Sequence, residues 1–185
     1  MLGLLGERLT TEAAAARMFA SFIEAELIWS EVSALPAHAA PCGIACCEVA
    51  FARIAIMKFM FQRTQSHDVA DALCAAADRQ TQRAFPDEGD AQTHAFYGKP
   101  LHEAAPAMVD LYFLKTSAPR QLAAMLLERL GGDVDKAGHV TGQLEQLGND
   151  IGAQLRGMRI KLAPESEQFE AYPPRRRNPV SSAAA

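Results

Sequence analysis

The chain has 185 residues, 49% of them apolar and 22% charged, with a formal net charge of -4. That length is enough for a single domain with a substantial core. The acidic balance excludes a general nucleic-acid binder, which needs a cationic face to displace counterions.

Met1 to Leu9 is apolar but has no basic stretch ahead of it, so no secretory leader is expected. Thr11-Glu12 followed by Ala13–Ala16 opens a helix that should run to about Leu35, where Pro36 stops it. Met18, Phe22, Ala25, Trp29 and Val32 form one apolar stripe, and Ile23 and Leu27 lie on the other side. Two apolar faces predict a helix sandwiched between neighbours.

Residues 36–41 read as a linker between Pro36 and Pro41. The next helix, about 42–63, is the most apolar in the chain. Its length approaches that of a membrane span, but Glu48, Arg53 and Lys58 fall inside it. Each would cost ~2.5–3.5 kcal/mol at a bilayer centre, so a buried central helix is expected and no membrane span. Ser66 and Asp68 open a third helix over about 67–85, ended by Pro86. A polar, turn-rich stretch over 86–99 ends in Phe96-Tyr97, a candidate lid. A fourth helix is expected over about 100–115. A fifth, about 118–130, is capped by Ser117 and closed by Gly131-Gly132 in a left-handed C-cap.

From Asp133 a regular pattern appears. Val134, Ala137, Thr141, Leu144, Gly148, Ile151, Leu155, Met158 and Leu162 step by three and four, as in a coiled-coil seam. One long helix over 133–162 is expected, with a bend at Gly148. Leu144, Ile151, Leu155 and Met158 are its candidate interface residues, although the same seam would also pack within the chain's own bundle. The fold class is therefore all-α, a single-domain bundle of about six helices over 1–162. A polar tail over 163–185 carries Pro173-Pro174-Arg175-Arg176-Arg177.

Several groups bear on chemistry. Cys42 and Cys46, at i,i+4, share a face with Arg53 and Met57, and Cys47 points about 100° away. The spacing matches no zinc motif, and buried thiols pack as small hydrophobes, so no metal or cofactor is expected. Four cysteines, two of them adjacent, suit reduced thiols in the cytoplasm. Arg53 must either pair with a carboxylate such as Glu24, Glu26 or Glu48, or reach solvent, or hold a ligand anion. His67/Asp71 and Asp135/His139 are i,i+4 pairs of the kind common on helix surfaces. No His-Glu-x-x-His, di-iron Glu-x-x-His pair, phosphate loop or Gly-x-Ser-x-Gly elbow occurs. The leading expectation is a non-enzymatic interaction protein that forms a homodimer or binds a partner protein through helical faces. The alternative is a bundle that binds a small amphipathic anion in an apolar pocket lined by Arg53, Cys46, Met57, Trp29 and Tyr97.

Overall fold

The computed structural model describes residues 8–35, 39–85 and 91–162, and within them the chain is helical almost throughout. In chain order the elements are β1 (Arg8–Thr10), α1 (Thr11–Phe22), α2 (Ala25–Ala34), α3 (Cys42–Thr64), α4 (His67–Ala84), α5 (Ala91–Tyr97), α6 (Leu101–Phe113) and α7 (Pro119–Arg129). A 3-10 turn at Val134–Lys136 then leads into α8 (Ala137–Arg156) and β2 (Arg159–Lys161). Pro36, His38, residues 86–90 and the tail with Arg175–Arg177 lie outside the described residues.

The all-α, single-bundle architecture follows from α3. Every residue from Glu48 to Lys58 is buried, because α2, α4, α6, α7 and α8 all pack around this one helix. A helix covered on all sides has no polar face to preserve, which is why it reads as uniformly apolar. Phe51, Ile54, Met57 and Phe61 are fully enclosed in the core. No helix among the described residues is long and apolar enough to cross a membrane.

The structure corrects the sequence reading in several places. The expected single helix over 11–35 is two helices. Ile23 ends α1, and Glu24, in extended backbone, starts α2. The break lets α1 seat Met18 and Phe19 while α2 seats Ile28 and Val32. Phe96-Tyr97 belongs to a short helix, α5, rather than to a loop. Ala118, not Ser117, is the N-cap of α7. Gly131 does close α7 in the left-handed region, at φ 64°, and Gly132 N–H returns to Leu127 C=O at 2.8 Å.

The C-terminal helix is shorter than expected, and it passes through Gly148 without interruption. Leu144, Ile151 and Leu155 are buried in the chain's own core, where α8 packs on α3 and α7. Met158 is partly buried against that same core. The middle of the seam thus faces inward, while Met158 lines a shallow surface cleft and Val134 and Leu162 at the seam's ends are exposed. Beyond it, β2 pairs in parallel with β1, Leu9 opposite Ile160, and ties the two ends of the described chain together.

Candidate functional site

Three ionisable side chains are buried in α3: Glu48, Arg53 and Lys58. They are five residues apart, so each is turned about 140° from the last around the helix. Each consequently meets a different set of neighbours.

Glu48 is completely buried. Its carboxylate accepts a forked pair from Arg129 on α7, from Nε at 2.6 Å and Nη2 at 2.8 Å. Tyr97 Oη on α5 donates at 2.8 Å, and Tyr112 Oη on α6 donates to the other oxygen. The Arg129 guanidinium also lies 6.0 Å from the ring centre of Phe96. Burial, reinforced by the Glu48 charge and hydrogen bond, raises both tyrosines well above the usual phenol range. They therefore act as neutral donors. A carboxylate already holding four donors has no acceptor site left for a substrate proton, so this cluster ties helices together.

Arg53 meets none of the carboxylates expected for it. Its Nε donates to the Phe22 carbonyl at 2.6 Å, and its Nη1 pairs with Glu31. Phe22 is the last residue of α1, and its carbonyl has no acceptor role left within that helix. Arg53 thus caps α1 from the side and holds α2 through Glu31. Lys58 pairs with Asp78 at 2.9 Å and Asp110 at 3.6 Å, both more exposed than itself. Its burial works against the charge, but the hydrogen bond and charge of Asp78 outweigh that and raise its pKa.

The five expected ligand residues do not converge. Met57 is sealed in the core. Tyr97 is engaged with Glu48. Arg53 and Cys46 line different clefts on opposite flanks of α2. The Arg53 cleft, about 680 Å³, also carries Glu31 and Asp150, which oppose an anion. Arg53 is thus committed to the Phe22 carbonyl and Glu31 within the chain itself.

Trp29 and Cys46 do come together. They line an apolar cleft of about 580 Å³ with Ile23, Ile28, Cys47 and Phe85. Its floor is braced from behind: the Phe85 ring lies 5.0 Å from that of Phe51, which lies 6.0 Å from Tyr97. Trp29 itself is 55% exposed at the rim, and Leu27 on the same helix is 40% exposed. Burial, then the neighbouring Cys42, raises the Cys46 thiol, so it is not an activated nucleophile. None of the four cysteines is in a disulfide. Among the described residues, no three His, Cys, Asp or Glu side chains gather as metal ligands would.

Comparison with known protein families, with characterised proteins and with solved structures gives no match. The reading of the site therefore rests on its own geometry. The sequence pointed to Trp29 and Cys46 but not to Phe85, which sits just before Pro86 and shows no periodic signal of its own. The Glu48 cluster was also missed, although a carboxylate inside an apolar helix already demands a cationic partner.

Proposed function

We propose that this chain is a non-catalytic helical interaction protein whose docking face is α2 with its apolar cleft, and that it takes the apolar side of a basic-flanked helix from a partner protein. The observation that carries this reading is the half-exposed Trp29 at the mouth of the cleft. Tryptophan dominates the energetics of protein interfaces, and a large exposed apolar residue beside an apolar cavity marks a contact surface. The partner's charge follows from the rim. Glu26 is the one charged side chain lining the cleft, and Glu24 is exposed beside it at the start of α2. Cysteines that form no disulfide suit a reducing compartment, and a cytoplasmic location is part of the same proposal.

Trp29 is the single tryptophan of the chain, so its emission reports the cleft directly. Titration with an amphipathic Leu/Lys helical peptide should give a saturable blue shift. The matched Leu/Glu peptide should not, and Trp29→Ala should lose binding measured by peptide anisotropy. Equal response to both peptides would remove the proposal. A blue shift that grows with protein concentration alone, together with a doubled solution mass, would make the partner a second copy of the chain.

A further inference from the structure

A second cleft, about 560 Å³, opens between the C-terminal half of α3, the α6–α7 corner and α8. Its volume lies within the ~300–1,000 Å³ range of small-molecule sites. Two arginines line it, Arg63 from the last turn of α3 and Arg156 from the last turn of α8. Among the described residues neither is held in a salt bridge. Asn149 and Ser117 add polar groups, and Glu145 is the one carboxylate in the lining. The cleft is thus cationic overall on a chain whose net charge is -4.

Below this rim the surface is apolar, with Ile56, Met60, Leu122 and Leu144. On the α8 side the cleft is lined by Gly148, and Gly152, one turn on, packs against Met60. A Cβ on Gly148 would stand 3.7 Å from Ile56 Cγ2, and one on Gly152 would come within 2.7 Å of Met60 Cε. Side chains there would fill the gap between α3 and α8.

From the paired arginines above an apolar floor, we infer that this cleft binds a small amphipathic anion, its carboxylate or phosphate held by Arg63 and Arg156 and its apolar body lying along Met60, Ile56 and Leu122. Guanidinium groups suit both head groups through forked hydrogen bonds. The site is separate from the Trp29 cleft and does not depend on the docking proposal.

The test uses the full chain and calorimetric titration with decanoate, decyl phosphate and decanol. The two anions should bind saturably and decanol at least tenfold more weakly. Comparing decanoate with decyl phosphate tells which head group is preferred. Arg63→Gln and Arg156→Gln, both at exposed positions and checked for native circular dichroism, should each weaken the anions about tenfold and leave decanol unchanged. Gly148→Leu should abolish binding of all three by filling the cleft. Trp29 emission should stay constant throughout. Equal binding of decanol and decanoate, binding unaffected by either arginine variant, or a Trp29 shift on adding decanoate would each overturn the inference.

Discussion

Arg129 and Lys58 both neutralise carboxylates, but their replacement should have very different consequences. Arg129 serves Glu48, which has no exposed surface and cannot be rescued by water. Arg129→Met would leave a buried charge whose remaining donors are two tyrosines, and loss of one partner from such a pair costs about 3–5 kcal/mol. Lys58 serves Asp78 and Asp110, whose side chains are 46% and 71% exposed. Those carboxylates rehydrate when the ammonium goes, so Lys58→Met should cost about 1 kcal/mol or less. Urea melts of the two variants check the contrast, and equal losses would mean that Glu48 is reached by solvent. The need for a partner was legible in the sequence, because a charge inside an apolar helix must be paired. Which partner was not. Arg129 lies 81 residues from Glu48, and nothing local to either residue signals that they meet. Arg53 shows the same limit, since Glu31 was no nearer in pattern than Glu24 or Glu26, and the break that frees the Phe22 carbonyl was itself unforeseen.

Helices with one clear apolar face were legible from periodicity, and α4, α6 and α7 lie close to their expected bounds. The break at Ile23-Glu24 was not, because neither glycine nor proline marks it and the choice is made by packing. The three-residue strands carry no local signal, and each exists only through the other. The glycines of α8 separate into kinds that sequence cannot distinguish. Gly142 has open space around its missing Cβ, whereas Gly152 is pressed by Met60. Gly142→Ala should therefore stabilise the protein by about 0.5–1 kcal/mol through backbone entropy alone. Gly152→Ala should gain less, because the Met60 methyl has to move. Equal gains in thermal melts would show that Met60 does not rest on α8. The same reasoning applies to α2, which packs chiefly on α3 and is latched by Arg53 through Glu31. Hydrogen exchange should open α2 before α3. In Arg53→Met the α2 amides should exchange at least about tenfold faster, an opening cheaper by about 1.4 kcal/mol, with those of α4 unchanged. A uniform change across both helices would argue that Arg53 acts on global stability and not as a latch.

For the molecule as a whole, two thiols, two phenols, one lysine and one arginine are all raised in pKa. Burial pushes the Cys74 thiol up to about 11, with Lys58 partly opposing it, and Cys46 rises for the same reason. Tyr97 and Tyr112 are raised by burial and by the Glu48 charge. Arg129 is raised by its hydrogen bond to Glu48 against the opposing effect of burial, and Lys58 is raised as well. Every one of these values lies above its unfolded counterpart, so at alkaline pH the folded chain keeps protons that the unfolded chain releases. Stability then falls as pH rises. The fall should begin near pH 9, where unfolded thiols ionise, and steepen above about 10 as the phenols and Lys58 follow. Tyr112, the more deeply enclosed phenol, contributes by itself about 1.4 kcal/mol per pH unit beyond that point. Urea midpoints at pH 7, 9 and 10.5 measure the decline. Tyr112→Phe supplies the control. It should be weaker at pH 7, having lost a donor to Glu48, yet decline less steeply above pH 10 because one retained proton is gone. A midpoint that holds level from pH 7 to 10.5 would mean that the Glu48 cluster opens to water without unfolding. The knot joining α3, α5, α6 and α7 would then be a local contact and not the centre of the bundle.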